Sequence, residues 1–303
     1  MRNTPLKTSL ALFVVFLAGL NSGWSQSDSY WVNANRGPAP SSFPMMPPPP
    51  MPSGPMFTNE WSLWWQTPGG TPGMWVMEGT NHIGGGALST GSPGPAWQLR
   101  CRSDFQSDGA QELMWEHTNG WLAVWHMQGT NFVGSAYLNP NRINPSWHMV
   151  ATGDFGGPDH NDIVWQHDAG WVSVWHMQGT NRVGGGLLYS TPVDPNWKIV
   201  GTGDFNGDGW TDILWQHSQG WLAVWYMQGM NSLGGESLTP NRVDASWKII
   251  GTADLTGNGQ PDIIWRNTNG WMSAWLMSGP ERTNGVAWNS GSTTATGTRF
   301  GCR

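Results

Sequence analysis

The stretch Asp204–Asp212, with the sequence DFNGDGWTD, spaces oxygen-bearing side chains through a glycine-rich turn. Acidic or amide side chains occupy its positions 1, 3, 5 and 9, and the backbone carbonyl of position 7 is a further oxygen donor. Calcium binds six to eight oxygen atoms in flexible loops of this kind and favours several carboxylates. The stretch therefore predicts a Ca²⁺ loop with the ligands Asp204, Asn206, Asp208, the Trp210 carbonyl and Asp212.

Three related stretches follow the same pattern at steps of 50 residues, with fewer suitable ligands. One has one fewer internal acid, one ends in the longer glutamate, and one lacks the oxygen at position 3 and displaces its middle acid. Their ligand positions are, respectively, Asp254, Thr256, Asn258 and Asp262; Asp104, Gln106, Asp108 and Glu112; and Asp154 and Asp162. Calcium affinity is predicted to fall from the Asp204 loop to the Asp254 and Asp104 loops and then to the Asp154 loop, with dissociation constants of about 0.1 to 1 mM if these are extracellular modules. The alternative for each loop is an Asp-turn, whose first carboxylate only caps backbone amides.

The loops recur because the whole sequence from Phe57 onward repeats every 50 residues, which is typical of propeller blades or helical arrays. Within one repeat, short β-branched and aromatic runs bounded by Gly and Asn favour strands over helices. The four predicted strands are Trp197–Gly203, Asp212–His217, Gly220–Met227 and Ser232–Leu238. The third strand is apolar on both faces, as expected when neighbouring blades cover both sides of a sheet.

Residues 57–303 have room for five such units, but the first unit lacks its opening strand. The C-terminal segment Thr298–Arg303 aligns with Lys198–Gly203 and can supply that strand. The predicted fold is therefore all-β, a five-bladed β-propeller of four-stranded repeats whose ring is closed by the C-terminal strand. The same alignment places Cys101 and Cys302 on the innermost strands of neighbouring blades. A disulfide between them would contribute about 4 kcal/mol, and the alternative is two buried thiols.

The string Gly201–Gly209, followed by Asp212–Trp215, resembles the FG-GAP or VCBS-type repeat found in secreted bacterial proteins, integrin α-subunit propellers and some fungal lectins. The resemblance extends over about residues 61–303. It implies a propeller with calcium at the blade loops and a role in adhesion or glycan recognition. Many members have seven blades, whereas this sequence has room for five.

Residues 1–25 combine two basic residues, an apolar run and a small-residue cleavage pattern, which predicts a secretory signal peptide. The alternative is a short membrane anchor, but the run is shorter than the ~20 residues that a span requires. Residues 26–56 are rich in proline and are predicted to be a linker before the propeller at 57–303. The chain is thus expected to be secreted or at the cell surface, without a membrane span. Its net charge of −6 disfavours nucleic-acid binding.

One tryptophan per repeat follows a glycine at the start of the third strand and is the best candidate for a ligand platform. An indole offers an apolar face and a polar tip, which suits a sugar ring, whereas most of the 24 Trp are expected in the core. The platform candidates are Trp121, Trp171, Trp221 and Trp271. The recurring histidines are expected to be structural, because each lies on a different blade. No nucleophile motif and no residue set that breaks the repeat is evident, so the chain is predicted not to be an enzyme. A calcium-binding lectin or adhesion module is favoured; a protein-interaction scaffold is the alternative, followed by a polysaccharide-active enzyme.

Overall fold

The computed structural model describes residues 61–79, 81–106, 108–156, 161–287 and 299–300. Within these ranges the chain forms β-strands and turns and no helix, which confirms the predicted all-β class. Consequently, the described residues contain no helix able to cross a membrane. The predicted leader at 1–25 and the linker at 26–56 lie outside the described residues.

Twenty strands follow one another in the described chain. They are β1 (Trp61–Gln66), β2 (Pro72–Glu78), β3 (Asn81–Ala87), β4 (Trp97–Ser103), β5 (Gln111–His117), β6 (Trp121–Gln128), β7 (Asn131–Arg142), β8 (Trp147–Gly153), β9 (Asp162–His167), β10 (Val172–Gln178), β11 (Asn181–Leu187), β12 (Trp197–Gly203), β13 (Asp212–His217), β14 (Trp221–Gln228), β15 (Asn231–Arg242), β16 (Trp247–Ala253), β17 (Asp262–Asn267), β18 (Met272–Ser278), β19 (Glu281–Ala287) and β20 (Arg299–Phe300).

These strands form five repeated units, each an antiparallel series of four. Unit 1 contains β20, β1, β2 and β3; units 2 to 5 contain β4–β7, β8–β11, β12–β15 and β16–β19. In unit 4 the first two strands have the predicted bounds, and the fourth is longer than predicted. The turn before β14 depends on Gly220, whose φ of +91° disfavours any side chain and whose Cβ would lie 2.1 Å from the carbonyl oxygen of Val243.

The third strand of unit 4 packs against a different neighbour on each face, because successive side chains point to opposite sides of a sheet. Leu222 and Val224 join the apolar cluster that includes residues of unit 5. Trp225 and Met227 join the cluster that includes residues of unit 3. The prediction that the third strand packs on both faces is confirmed, with the exception of Trp221, which is 39% exposed.

The units do not remain five separate sheets, because outer strands join two pairs of them. β7 pairs in parallel with β11 at Asn139 and Asn181, and β15 pairs likewise with β19 at Thr239 and Glu281. Each junction is a single bridge, and it yields two eight-stranded sheets beside the four-stranded sheet of unit 1. The prediction of five independent blades is corrected on this point.

Buried glutamines connect successive units through hydrogen bonds to the backbone. Gln166 on β9 donates to the Trp197 carbonyl at 2.8 Å and accepts from the Ile199 amide at 3.2 Å. Equivalent pairs of bonds connect Gln66 to β4 and Gln216 to β16. An amide side chain suits this position because it donates to one strand atom and accepts from another.

Unit 1 also packs against unit 5, so the contacts between units follow a cyclic order. Leu63 and Met77 of unit 1 share an apolar cluster with Ile264 and Met272 of unit 5. The C-terminal strand β20 pairs with β1, as predicted, but its register differs from the prediction by one residue. Phe300 stands opposite Trp65, the place that Ile199 takes in unit 4, whereas the sequence alignment had placed Arg299 there. In the observed register, the apolar Phe300 takes the strand position whose counterpart in unit 4, Ile199, is buried.

Cys101 lies on β4, the innermost strand of unit 2, and is buried. Cys302 lies outside the described residues, so its pairing with Cys101 stays a prediction.

Candidate functional site

The Asp204 loop is a hydrogen-bonded turn between β12 and β13. Asp204 accepts from the amides of Gly207 at 2.7 Å and Asp208 at 3.1 Å through Oδ1, and from Gly209 at 2.8 Å through Oδ2. Asp208 Oδ1 accepts from the Trp210 amide at 2.8 Å. The first acid of the loop therefore caps backbone amides, as the Asp-turn alternative requires. Each carboxylate oxygen carries two lone pairs, so Oδ1 is filled by its two bonds and Oδ2 keeps one lone pair.

The last acid of this loop, Asp212, is buried on β13. Its oxygens accept from the amides of Phe205 and Met227, both at 2.9 Å, so it anchors the loop to β14. Burial raises the pKa of Asp212 to about 6, although these two backbone bonds lower it; the charges of Asp208 and Asp204 raise it further. Three carboxylates of the loop are thus close enough to influence one another.

The Asp254 loop repeats this geometry with one carboxylate fewer. Asp254 accepts from Gly257, Asn258 and Gly259 at 2.7, 3.1 and 2.8 Å. Burial raises the pKa of Asp254, but these backbone bonds outweigh it and hold the pKa below its ordinary value. Asp262 occupies the same buried place as Asp212.

In units 2 and 3 a histidine contacts the last acid of the loop. His126 Nδ1 lies 3.4 Å from Glu112 Oε1, and His176 Nδ1 lies 2.9 Å from Asp162 Oδ2. Gln106 directs its side-chain nitrogen to Glu112 at 3.2 Å, which is the orientation opposite to that of a metal ligand. Units 4 and 5 carry Tyr226 and Leu276 at the equivalent of the histidine position. The recurring histidines at 126 and 176 are therefore intramolecular partners of an acid.

The donor chemistry of the Asp204 loop fits Ca²⁺ best among the four loops. The Asp104 loop also has three carboxylates and one amide, but its last acid, Glu112, contacts His126. The arrangement is not a preformed cage, since no group of three or more His, Cys, Asp or Glu side chains in the described part of the chain is placed to hold a metal. Residues 157–160 of the Asp154 loop, and Ser107 of the Asp104 loop, lie outside the described residues.

The four predicted platform tryptophans differ in exposure. Trp271 is 65% exposed and Trp221 is 39% exposed, whereas Trp121 and Trp171 pack against apolar clusters and are half-buried. Trp121 lies 5.6 Å from the ring of Tyr137, and unit 4 has Ser237 in that place, which leaves Trp221 more open. Two of the four candidates, Trp221 and Trp271, are therefore exposed to solvent, and they lie on the adjacent units 4 and 5.

In units 2 and 4, an arginine lies over the ring of the platform tryptophan. The guanidinium of Arg142 lies 5.4 Å from the Trp121 ring, and that of Arg242 lies 4.8 Å from the Trp221 ring. Arg242 also donates from Nε to the carbonyl of Gln219 at 3.2 Å. This positions a charged donor beside the exposed indole, within the range of a cation–π contact.

Most other tryptophans form the core, as predicted. Each unit contains a tilted pair from its second and third strands, with ring centroids 4.5 to 6.3 Å apart. The opening tryptophan of units 2, 3 and 4 meets a histidine edge-on, at 5.0 to 5.1 Å. These histidines, which are His117, His167 and His217, pack within their own unit.

Two residues that sequence analysis missed interrupt the repeat in unit 2. Arg102 stands where units 3 to 5 have Thr152, Thr202 and Thr252, and Glu116 stands where units 1, 3 and 4 have glutamine and unit 5 has Arg266. Glu116 accepts from the Met149 amide at 3.0 Å and contacts Arg100 and His148. These two positions depart from the repeat, and the signal was visible in the sequence as a change of residue type at fixed spacing.

Comparisons with known proteins locate the repeat family in units 4 and 5. Residues 204–265, from the Asp204 loop to β17, match the model of the FG-GAP-like repeat. The chain thus carries an FG-GAP-like repeat, as its sequence predicted. A search of the curated proteins found no match. Among solved structures, AofleA from Arthrobotrys oligospora matches with 12% identity and a TM-score of 0.47, over 78% of this chain and 73% of that one.

Proposed function

We propose that this chain is a five-bladed β-propeller that binds carbohydrate through exposed tryptophans on adjacent blades. The five four-stranded units and their cyclic contacts support the propeller. The observation that supports the ligand surface best is the exposure of Trp271 and Trp221 at the same place in units 5 and 4. An exposed indole offers a large, rigid apolar face with a polar N–H, which suits a ligand platform.

The chemistry around these indoles favours sugars over apolar ligands. Arg242 supplies charged N–H donors beside Trp221, and Asn267 and Asn269 lie in the turn before Trp271. A sugar ring places C–H groups on an aromatic face while its hydroxyls bond polar neighbours. Two weak sites on one molecule would act together on a clustered glycan, where avidity exceeds each single affinity.

A glycan array tests this proposal with native protein, Trp271→Ala and Trp221→Ala. Native protein is expected to bind a restricted set of glycans, and each variant is expected to lose most of that signal. Leu233→Ala is the matched control, because Leu233 is 59% exposed on the outer strand β15 and its loss should leave the signal unchanged. Binding that survives both tryptophan variants, or that falls equally with Leu233→Ala, would refute the platform role.

A protein-interaction scaffold is the second candidate, and a different observation favours it. The outermost strands of units 1 to 4 expose an aliphatic residue at one repeated position, which is Ile83, Val133, Val183 and Leu233. A series repeated on successive units suits a protein partner that contacts several units at once. This candidate would be supported if no glycan on the array binds and if a protein partner is captured by native protein and by Trp271→Ala but not by Val183→Ser.

We further propose that the Asp204 loop binds Ca²⁺ through Asp204, Asn206, Asp208, the Trp210 carbonyl and Asp212. The bound ion would offset the charges of the three carboxylates, which act on one another there, and would hold the β12–β13 turn. Weaker calcium binding is proposed for the other loops because their ligands are less suitable. The affinity falls from the Asp254 and Asp104 loops to the Asp154 loop.

Asp208→Asn tests the calcium proposal with little disturbance of the turn. Asparagine keeps the acceptor for the Trp210 amide, as Asn258 does for Gln260 in unit 5, but removes one charge. The melting temperature in EDTA should be nearly unchanged, while the rise on adding about 5 mM Ca²⁺ should shrink, since a ligand that binds only the folded state stabilises it. An equal rise in both proteins would contradict the assignment of this loop.

Secretion through the predicted leader and the absence of catalysis remain part of the proposal.

A further inference from the structure

An arginine beside the exposed tryptophan of unit 4 carries N–H groups that the fold leaves unused. The guanidinium of Arg242 lies 4.8 Å from the centre of the Trp221 ring, and its Nε donates to the Gln219 carbonyl at 3.2 Å. Arg242 and Trp221 also stand opposite one another in the pairing of β15 with β14, so two strands fix their relative position. Among the residues that the structure describes, no hydrogen bond or ion pair engages the two Nη groups, which carry the remaining N–H donors of the guanidinium.

The acidic side chains nearest to Arg242 in sequence have other partners. Asp244 Oδ1 accepts from the Ser246 amide at 2.8 Å, and Glu236 Oε1 accepts from the Tyr226 hydroxyl. The side chain of Arg242 is itself exposed. Its charge is therefore open to an anionic group on a ligand.

Unit 2 holds the same pair of residue types in a closed arrangement. Arg142 donates from both Nε and Nη2 to the Asn119 carbonyl, at 3.4 and 3.3 Å. The Tyr137 ring lies 5.6 Å from the ring of Trp121, which is half-buried. The arginine–tryptophan pair is thus closed in unit 2 and open in unit 4.

The repeat itself does not require an arginine at this position. Units 1, 3 and 5 carry Ser92, Pro192 and Ser292 there, of which Ser292 lies outside the described residues. Trp271, the other exposed platform, therefore has no arginine at the equivalent position of its own unit. The two exposed platforms differ in charge.

An aromatic face beside an open guanidinium suits a sugar that carries an anionic group. The C–H groups of the sugar ring lie on the indole, and a guanidinium pairs with a carboxylate through two parallel hydrogen bonds. The net charge of −6 repels anions from the chain as a whole, so the binding of an acidic sugar depends on a local cation such as this one.

We propose that Arg242 gives the unit 4 platform a preference for acidic sugar residues, such as uronic acids, that the platform of Trp271 lacks. The sugar ring stacks on Trp221, and its carboxylate pairs with the Nη groups. This inference rests on the proposed carbohydrate function and names the ligand class at one of its two platforms.

Titration calorimetry of the whole chain with a trimer of galacturonic acid and with its methyl-esterified form tests this preference. The two ligands share their sugar rings and differ in charge, and EDTA in the buffer prevents calcium from bridging ligand and protein. Native protein is expected to bind the acid about fivefold more tightly than the ester, which is the gain from a charged pair at an exposed site. Arg242→Gln should bind the acid as weakly as the ester. Arg242→Lys, which keeps the charge without the two-pronged geometry, should retain only part of the preference and serves alone if a thermal melt shows that Arg242→Gln is unfolded.

Arg142→Gln is the matched control, because its tryptophan is closed, and it should leave both affinities unchanged. Trp221→Ala should abolish the preference for the acid, whereas Trp271→Ala should retain it. The inference is overturned if native protein binds acid and ester equally, if it binds neither, or if the Arg242 variants keep the full preference. Neutral glycans that bind through Trp271 on the array, in a protein without a preference for the acid, would overturn this inference and leave the proposed function standing. Absence of binding both on the array and in calorimetry would overturn the two together.

Discussion

Replacement of Gln216 by leucine should weaken the contact between units 4 and 5. Gln216 is 4% exposed, donates to the Trp247 carbonyl at 2.8 Å and accepts from the Ile249 amide at 3.1 Å. Leucine leaves both backbone groups buried without these partners, at about 1–3 kcal/mol each, and its apolar burial offsets roughly 1–2 kcal/mol. The expected net loss is about 2–4 kcal/mol in the free energy of unfolding, equivalent to a decrease in melting temperature on the order of 10 °C.

Urea unfolding followed by tryptophan fluorescence and circular dichroism measures this loss. Gln228→Leu is the control, since Gln228 is exposed at the end of β14 and its replacement should change stability by less than about 0.5 kcal/mol. Gln166→Leu, at the junction of units 3 and 4, should match Gln216→Leu because its two bonds are equivalent. A loss for Gln216→Leu no larger than that for Gln228→Leu would refute the view that buried glutamines join the units.

Two further predictions concern the protonation of His148 and the turn at Gly220. The hydrogen bond from His148 to Glu116 raises the pKa of His148, so its stabilisation is complete below about pH 6.5 and is lost as pH rises through the raised value. The melting temperature of His148→Gln should therefore differ from that of native protein more at pH 5.5 than at pH 8.5, and a difference independent of pH would contradict this. Gly220→Ala should destabilise by at least about 1 kcal/mol more than Gly209→Ala in denaturant titrations. Both glycines have positive φ, but only the first would bring Cβ against the Val243 carbonyl, so equal losses would contradict the steric argument.

The strands and the four-stranded unit were predictable because local signals agree with the fold. In unit 4, turn-forming residues such as Asn196, Gly207, Gly209 and Gly220 separate the β-branched and aromatic runs, and β12 and β13 have the bounds predicted from that pattern. The register of β20 was not predictable in the same way. A segment rich in Gly and Thr lacks an alternating apolar pattern, and the burial of Phe300's counterpart Ile199 became apparent only with the neighbouring strand in place.

The candidate site was predictable in type but not in detail. The loop acids and the glycine–tryptophan positions could be found from spacing alone. The difference in exposure between Trp121 and Trp221 could not, because it depends on whether a neighbouring strand carries Tyr137 or Ser237. Arg102 was visible as an interruption of a threonine series, but its hydrogen bond to Ser62 became apparent only with unit 1 in place.

The indole resonances of ¹⁵N-labelled protein offer the most direct test of the claim that exposed tryptophans form the ligand surface. Trp271→Phe and Trp221→Phe would assign the two signals, and a glycan identified on the array would then be titrated. The account predicts saturable shifts of these two signals while those of the buried Trp115 and Trp165 stay in place. Shifts confined to other indoles, with Trp271 and Trp221 unmoved, would contradict it.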